Sequence, residues 1–290
     1  MNASLIKELR DISGAGMMDC KKALEENGND IKKATEWLRE KGIAKAAKKA
    51  GRIAAEGLST VVVDGNKAVI LEVNCETDFV AKNEKFQKFI SDVANTILKS
   101  NAKTNEEALA LSCQEGTLSD YVTNMTATIG EKISFRRFTL IEKNDDENFG
   151  TYIHMGGKIS VLSLIKGATE EIARDVCMHA AAMRPEFVTK DDVPEEQVEN
   201  EKKILTEEAI REGKPANIAE KMVMGRINKY YKEICLEEQD FVKDNSVTVG
   251  KYVSNNGGKI INVIRYEVGE GLEKRQDNFA EEVAAQVNGD

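Results

Sequence analysis

The sequence predicts an α+β protein with a small three-helix N-terminal domain, a core of two related halves that each join a hairpin sheet to a helix, an inserted antiparallel helical hairpin and a C-terminal helix. Three observations predict this fold. Apolar residues recur with helical spacing near the N-terminus, a hairpin pattern occurs twice with a helix after each copy, and all three prolines lie around one helical stretch. The chain has 290 residues, about twice a common domain length, so more than one packed unit is expected.

The N-terminal domain and a basic linker are predicted over residues 1–52. Leu5, Leu9 and Ile12 fall on one helical face, and a similar apolar stripe begins at Ile31. A helical unit of about 40 residues can bury only a small core. Such a unit is typical of a docking module.

The basic linker carries five bases and no acid between Lys41 and Arg52. A solvated helical segment is the favoured interpretation of such a run, and phosphate binding is the minority interpretation. The whole chain carries a net charge of −9, from 50 acidic and 41 basic residues, so it repels polyanions. Nucleic acid is therefore not the expected partner.

The first core half is predicted over residues 53–143. Segments 59–63 and 67–74 read as strands, and the Asp-Gly-Asn tripeptide at 64–66 supplies the positive φ that a tight hairpin turn needs. Apolar residues with helical spacing then predict a helix over 84–98.

The second core half is predicted over residues 144–184 and 239–268, because the hairpin pattern of the first half returns 91 residues later. Four positions of the first copy align with four of the second, namely Thr60, Gly65, Lys67 and Leu71 with Thr151, Gly156, Lys158 and Leu162. The alternating segment 259–268 is expected to complete the second sheet.

The two copies differ between the hairpin and its helix. In the second copy a helix can begin directly after Thr169, whereas in the first copy a helix capped by Asn83 would begin about five residues later. The extra segment predicts an exposed loop that contains Phe79. Two interpretations of Phe79 are open: its spacing with Phe86 and Ile90 predicts a buried helical stripe, while the internal repeat favours an inserted functional loop.

The inserted helical hairpin is predicted over residues 185–238. All three prolines lie between 185 and 215, and helices are predicted over 198–211 and 218–238. The first of these helices has few apolar residues, which suits an arm that stands in solvent.

A C-terminal module is predicted over residues 269–290, with a helix over 278–287. No apolar run approaches the roughly 18 residues that span a bilayer, and the first residues carry no secretory or transit pattern. A cytoplasmic protein without a membrane partner is therefore expected.

The sequence does not indicate an enzyme. It contains no phosphate-binding glycine loop, no dinucleotide fingerprint and no zinc-binding helix motif, and its five cysteines are spaced too widely for a metal or redox pair. Reduced thiols are expected, with no cofactor and no metal. Of the two histidines, His179 is predicted to pack within a helix. His154 precedes a glycine pair at a hairpin turn, where an exposed contact residue and a structural turn residue are both open interpretations.

Several stretches are specific enough to indicate a family. The segment 72–83 closely resembles the signature of elongation factor Ts, the guanine-nucleotide exchange factor of bacterial translation. Its sequence is Glu72-Val-Asn-Cys-Glu-Thr-Asp-Phe-Val-Ala-Lys-Asn83. Further motifs carry the resemblance along nearly the whole chain: Leu9 with Arg10, the segment 14–24, Ile129 to Glu131, Met178 to Ala181, Ala219 to Val223, Gly225 with Arg226, and Val268 to Gly271.

The resemblance implies a ubiquitin-associated-like fold for the N-terminal helices, no catalytic groups, and elongation factor Tu as the partner. It further implies that four consecutive residues intrude near the partner's magnesium site, dislocate the ion and promote GDP release so that GTP can bind: Asp78, Phe79, Val80 and Ala81. Other partner contacts are implied for Arg10, Met17, Met18, His154 and Val242. The sequence leaves open whether the chain forms a homodimer through the helical hairpin.

Two other classes of function are open from the sequence. A nucleic-acid-binding protein would use the basic linker, and its affinity would fall steeply with salt. A passive adaptor or holdase would use the N-terminal helices and the helical hairpin, and it would form a complex without changing the rate of nucleotide release.

Overall fold

A computed structural model describes residues 3–13, 15–114, 116–213 and 215–273. Helices and strands are both abundant, so the predicted α+β class is confirmed. The C-terminal helix predicted over 278–287 lies outside the described residues. Within the described ranges, no helix combines the length and the apolar character that crossing a membrane requires.

The N-terminal part contains the expected helices, α1 (Ala3–Ser13), α2 (Met17–Glu26) and α3 (Ile31–Lys49). Asp30 starts α3, since its side chain accepts a hydrogen bond of 3.0 Å from the backbone N–H of Lys33. The helices enclose a small core of aliphatic and small side chains: Leu9, Cys20, Ala23, Leu24 and Ala34. Helix α3 continues into the basic linker, which is therefore helical as predicted.

The first half contains β1 (Glu56–Asp64), β2 (Lys67–Cys75), α4 (Asp78–Ala81), α5 (Glu84–Leu98), α6 (Asn105–Leu109), β3 (Ser112–Cys113), β4 (Gly116–Thr117), α7 (Leu118–Ile129) and β5 (Ser134–Glu142). Strands β1, β2 and β5 form an antiparallel sheet with β2 in the centre. Asp64 pairs with Lys67, so the predicted turn is tight, and Gly65 has the positive φ of 58° that it requires.

One face of this sheet packs against α5. Val69, Leu71 and Val73 project from alternate positions of β2 into a core that includes Phe86 and Phe89 of α5. These side chains are buried, so the predicted helix over 84–98 forms with its apolar stripe facing the sheet.

The N-terminal helices pack against the first half. Helix α3 lies along α7, and a Cβ atom placed on Gly42 would be 3.2 Å from the Cβ of Ala127. Side-chain contacts add to this packing, because Arg39 forms an ion pair of 2.8 Å with Asp120. The basic linker is therefore part of a helix that contacts the core on one side.

The rest of the described chain contains β6 (Glu147–His154), β7 (Ile159–Lys166), α8 (Glu170–Met183), α9 (Glu195–Arg211), α10 (Ala216–Ile234), β8 (Asp240–Phe241), β9 (Asp244–Thr248), α11 (Val249–Asn255) and β10 (Lys259–Glu267). Strand β7 is central in a second sheet, with β10 and β6 on either side. The segment 259–268 completes this sheet, as predicted. Thr60 pairs with Leu71 and Thr151 pairs with Leu162, so the aligned positions share one register in both hairpins.

The two sheets pack face to face, with α5 outside the first and α8 outside the second. Side chains between the sheets come from four strands and include Ala68, Ile70, Phe149, Leu162, Leu164 and Tyr266. A direct hydrogen bond of 2.8 Å also joins the hydroxyls of Ser59 and Ser160 across this interface. The core therefore has a helix, sheet, sheet, helix layering.

Helices α9 and α10 form the predicted helical hairpin, but the predicted boundaries are partly wrong. Helix α9 begins at Glu195, directly after Pro194, rather than at residue 198. Helix α10 ends at Ile234 rather than at residue 238, because the backbone at Cys235 is extended and forms a strand-like bridge to Phe187. An extended backbone that forms this bridge cannot also adopt the dihedral angles of a helix.

Candidate functional site

Phe79 is the most exposed large apolar side chain among the described residues, with 79% of its surface accessible. It lies on α4, a single helical turn between β2 and α5. The interpretation that placed Phe79 on a buried helical stripe is therefore wrong, although Phe86 and Ile90 of that stripe are buried. The segment that the second half lacks is an exposed turn, as the internal repeat predicted.

Asn83 separates this turn from α5. Its side-chain oxygen accepts a hydrogen bond of 2.9 Å from the backbone N–H of Lys85, so a new helix begins at Glu84. Phe79 precedes that break and does not share the buried face of α5. The capping residue predicted from the sequence thus explains why the ring is free to point outward.

The other residues of α4 divide into an outer and an inner pair. Val80 and Ala81 are only 9% and 3% exposed and belong to the core of the first half. Asp78 and Phe79 direct their side chains outward. Partner contacts were implied for all four residues, but in this structure only Asp78 and Phe79 have side chains available for them, because burial of Val80 and Ala81 anchors the turn.

Glu131 holds the entry to the turn. The backbone N–H groups of Glu76 and Thr77 both donate to Glu131 Oε2, at 3.1 and 3.0 Å. The Thr77 hydroxyl donates to Glu131 Oε1 at 2.7 Å. Glu131 lies in the connection between α7 and β5, so a side chain from a distant part of the sequence fixes the residue that precedes Asp78.

A second set of contacts links the same entry to the end of the basic linker. The carboxylate of Glu76 accepts hydrogen bonds from the backbone N–H of Lys132 at 2.6 Å and from Arg52 at 3.3 Å. The Lys132 ammonium in turn donates to the carbonyl oxygen of Arg52 at 2.9 Å. The entry to α4 is therefore held by polar groups on both sides.

Asp78 carries a negative charge beside the exposed ring. Lys82, one helical turn later, forms an ion pair of 2.7 Å with it, and this hydrogen bond lowers the pKa of Asp78. The charge of Lys158, from the second half, acts in the same direction. Lys158 also forms an ion pair with Glu56 of β1. The two halves of the core thus meet at β1, the strand that α4 also contacts.

His154 ends β6 and is exposed, as a contact residue requires. Its Nδ1 atom lies 3.2 Å from the hydroxyl of Tyr152, and the two rings stack with centroids 5.9 Å apart. The turn that follows His154 lies on β1, because the N–H of Ser59 donates to the carbonyl oxygen of Gly157 at 2.7 Å. Helix α4 contacts β1 as well. The structure therefore brings the His154 turn and the Phe79 turn against the same strand.

Glycine is required in the His154 turn. A Cβ atom at Gly157 would lie 2.9 Å from the carbonyl oxygen of Ser59, and the backbone there has a φ of 101°. This close approach fixes the turn against the first half. Met155 is left exposed next to His154.

The other predicted contact residues lie on separate parts of the fold. Met17 and Met18 are exposed at the start of α2, and Arg10 is exposed near the end of α1. Val242 is exposed in the connection between β8 and β9. The structure thus places exposed residues on the N-terminal helices, on both core halves and on this connection.

A buried histidine supports the Val242 connection. The backbone N–H of Val242 donates to His179 Nδ1 at 3.2 Å, and His179 Nε2 lies 2.9 Å from the side-chain oxygen of Gln239. Nδ1 accepts a hydrogen bond, so the proton of the neutral ring is on Nε2. Burial lowers the pKa of His179 and favours this neutral form. The prediction that His179 packs within a helix is confirmed.

Four of the five bases of the basic linker contact other groups of this chain. Four contacts are observed: Lys41 with the ring of Trp37, Lys45 with Asp19, Lys49 with the carbonyl oxygen of Gly130, and Arg52 with Glu76. These contacts favour the interpretation of the run as a helical linker over its interpretation as a phosphate-binding site.

Neither metal nor thiol chemistry is indicated by the described part of the chain. It contains no group of three or more His, Cys, Asp or Glu side chains that could hold a metal ion. All five cysteines are free, as predicted. Burial raises the pKa of the Cys75 and Cys177 thiols to about 12, so these groups stay protonated and unreactive at neutral pH.

Two structurally important carboxylates had no role predicted from the sequence. Glu131 holds the turn, although a motif ending at this residue contributed to the family resemblance. Glu72 is fully buried and accepts hydrogen bonds from Arg136 at 2.8 Å and Arg137 at 2.6 Å. The available signal for Glu72 was its charge directly after the apolar run 68–71 of β2, which indicates a buried ionic partner.

The exposed aromatic turn is a surface feature of the kind that contacts another protein. A model of the protein family described as Elongation factor TS matches residues 76–270, which is more than half of the chain. The chain belongs to the elongation factor Ts family. This family consists of nucleotide exchange factors for elongation factor Tu in translation elongation, and its members are not catalytic enzymes.

Proposed function

We propose that this chain binds elongation factor Tu carrying GDP and that α4 acts as a wedge. Asp78 and Phe79, supported by the buried Val80 and Ala81, enter the region of the partner's Mg²⁺ and phosphates and destabilise it. GDP then leaves and GTP can bind. The observation that carries this proposal is the 79% exposure of an aromatic ring on a turn whose next two side chains, Val80 and Ala81, are buried. Exposed apolar surface of this kind is typical of a contact to another protein.

The proposed mechanism is differential binding. A GTPase holds its nucleotide through a phosphate-binding loop and Mg²⁺, and a factor that binds better when this hold is loosened shifts the population toward the loosened state. Burial of one phenylalanine side chain contributes roughly 1.5–3 kcal/mol. The coupling between two binding sites is typically ~1–3 kcal/mol. Phe79 can therefore supply a large share of the coupling, while other residues hold the partner.

Docking is assigned to exposed residues away from α4: Arg10, Met17, Met18, His154 and Val242. Their exposure on separate elements supports a wide contact surface. Methionine and arginine are enriched in protein interfaces, which suits the N-terminal members of this set. A wide surface lets the partner stay bound while the turn acts on the nucleotide site.

Two statements about partners stay predictions. The helical hairpin exposes apolar side chains such as Ile210 and Met224, which suits pairing with a second copy of the chain. The contacts of the basic linker within this chain argue against a nucleic-acid site. Sedimentation and salt-dependent binding measurements test the first and the second statement, respectively.

The test of the proposed function is the release of a fluorescent GDP analogue from elongation factor Tu after mixing with the chain and excess unlabelled GDP. Catalytic amounts of the wild-type chain are expected to accelerate release. Phe79→Ala is expected to lower the maximal rate about tenfold or more, because the lost burial of the ring raises the barrier. The concentration of chain at half-saturation should change less. Ile261→Ala, which also removes an exposed apolar side chain but on β10, is the control and should behave as wild type.

Each alternative gives a different result. An unchanged rate of GDP release in the presence of the wild-type chain would overturn the exchange mechanism. Complex formation without faster release would identify a passive adaptor. A wild-type rate for Phe79→Ala would reject the ring as the wedge.

A further inference from the structure

At its third position, helix α4 lacks the carboxylate that the comparable short helix α6 supplies for its own start. Thr104 starts α6, and the side chain of Glu107, three residues later, accepts the backbone N–H groups of Lys103 and Thr104 at 2.7 and 3.3 Å. This arrangement is a capping box, which satisfies donors at a helix start. Three residues after Thr77, the corresponding position is the buried Val80, which has no acceptor.

Glu131 supplies the missing acceptor from outside the helix. Its Oε2 atom accepts from the two backbone N–H groups of Glu76 and Thr77, the same pair of positions that Glu107 serves before α6. Its Oε1 atom accepts from the Thr77 hydroxyl at 2.7 Å. That hydroxyl makes no capping bond to α4 itself. The start of α4 is therefore held by a residue 54 positions away in the sequence.

The length of α4 makes this support important. A helix of four residues has too few internal hydrogen bonds to be stable by itself. Its direction depends on the groups that hold its two ends. Asn83 and the buried Val80 and Ala81 fix the C-terminal side, and Glu131 fixes the N-terminal side.

We propose that Glu131 is a positioning residue for Phe79. By holding Thr77, its carboxylate sets the direction in which α4 presents the ring, so that the turn is ordered before the partner binds. Preorganisation of this kind removes an entropic cost of binding. The proposal rests on the proposed function of Phe79, because the effect of Glu131 on GDP release passes through that ring. Docking through the other contact residues does not depend on it.

The test compares Glu131→Ala with the matched control Glu107→Ala, which removes a carboxylate of the same kind from α6. Release of fluorescent GDP from elongation factor Tu is measured over a range of chain concentrations. For Glu131→Ala we expect the maximal rate to fall about fivefold or more. The concentration at half-saturation should change by less than about twofold. Glu107→Ala should match the wild type in both quantities.

Two further variants separate positioning from a general loss of stability. Glu131→Gln should recover most of the lost rate, because an amide oxygen can still accept both backbone N–H groups and the amide nitrogen can donate to the Thr77 hydroxyl. The double variant with Phe79→Ala and Glu131→Ala should be no slower than Phe79→Ala alone, since the ring through which Glu131 acts is gone. A general structural role would instead slow release further in the double variant.

Thr77→Val serves as the second variant if Glu131→Ala does not fold. It removes only the hydroxyl that donates to Glu131, so a smaller decrease in the maximal rate is expected. Three results would overturn the positioning role. They are wild-type maximal rates of GDP release for the folded variants, additive losses of rate in the double variant, and no recovery of the rate in Glu131→Gln. If Phe79→Ala slows GDP release while Glu131→Ala releases GDP at the wild-type rate, only the positioning role of Glu131 is rejected. If Phe79→Ala releases GDP at the wild-type rate, the proposed function itself fails.

Discussion

Glu72 is a charged residue buried between the two sheets, and donors from several elements surround it. Its carboxylate accepts hydrogen bonds from Arg136, Arg137, Asn74 and the backbone N–H of Gly269, at 2.6 to 3.0 Å. Burial acts to raise the pKa of Glu72, but the hydrogen bonds from Gly269 and Arg136 and the charge of Arg137 outweigh it. The pKa is therefore lowered, and the carboxylate joins β2 to β5 and to the residues that follow β10.

This carboxylate should make the stability of the fold depend on pH. The pKa of Glu72 is lower in the folded chain than its ordinary value of 4.5, so its contribution is fully present above that pH and is lost as the pH falls through the folded-state pKa. We expect Glu72→Gln to lower the free energy of unfolding at pH 7 by about 3 kcal/mol, because the half-buried Arg136 and Arg137 lose their buried counter-charge. The difference from the wild type should narrow below pH 4.5.

Urea unfolding at several pH values measures this difference. Glu142→Gln is the control, because Glu142 lies in the same sheet but forms an exposed ion pair with Lys67. Its effect on the free energy of unfolding should stay within about 0.5 kcal/mol. A destabilisation by Glu72→Gln that is the same at every pH would contradict the electrostatic explanation.

The exposure and the role of a single residue can be predicted from the sequence in some cases and not in others. The exposure of Phe79 could be inferred from the internal repeat but not from periodicity, because residues 79, 86 and 90 fit one helical face whether or not the helix is continuous. Asn83 breaks that continuity. The role of Glu131 depends on a contact 54 residues away, which no local pattern encodes.

Elements with local start signals were predicted well. Helix α5 begins after Asn83, and α8 begins after Thr169, whose hydroxyl accepts the backbone N–H of Ile172. The end of α10 was not predicted correctly, because it depends on the bridge between Cys235 and Phe187. No elements were predicted over 99–143, although Thr117 and Asp120 form a capping box at the start of α7. That signal was present in the sequence and was missed.

The different surroundings of Gly150, in β6, and Gly225, in α10, predict opposite effects for their substitution by alanine. A Cβ atom at Gly150 would lie 2.2 Å from the carbonyl carbon of Ala173, so Gly150→Ala must displace α8. We expect a loss of about 1–3 kcal/mol in the free energy of unfolding. Gly225 lies within α10 with open space around its Cα. Gly225→Ala should increase the free energy of unfolding by about 0.5–1 kcal/mol, because alanine favours a helix.

Chemical unfolding of both variants tests this comparison directly. The two substitutions add the same methyl group, so a difference in sign reports the surroundings of each site. A Gly150→Ala variant as stable as the wild type would show that α8 does not pack on β6 as closely as the structure places it.

The whole molecule combines two related halves of which only the first carries the α4 turn. The repeat could be inferred from the sequence, and the shared register of the two hairpins confirms it. The face-to-face packing of the sheets could not be inferred from the sequence. It depends on Ala68, Ile70 and Leu162, which share one core cluster although they are far apart in the chain. One consequence is that the His154 turn of the second half lies against β1, the strand that α4 also contacts.

In the proposed mechanism, the residues that hold the partner are different from those that act on its nucleotide site. Exposed residues on the N-terminal helices and the second half are proposed to hold elongation factor Tu, and α4 is proposed to act at the Mg²⁺ and phosphate site. Coupling between two binding events is reciprocal. GDP should therefore weaken the binding of the chain to elongation factor Tu by the same factor by which the chain weakens the binding of GDP.

The central claim is tested most directly by stopped-flow measurement of GDP release from elongation factor Tu at saturating chain, once with excess Mg²⁺ and once with the ion removed by EDTA. If α4 loosens the Mg²⁺ and phosphate site, the chain should accelerate release more strongly with Mg²⁺ present, because EDTA alone already removes part of the hold on GDP. Phe79→Ala should reduce this difference. An equal acceleration under both conditions that Phe79→Ala leaves unchanged would contradict the account.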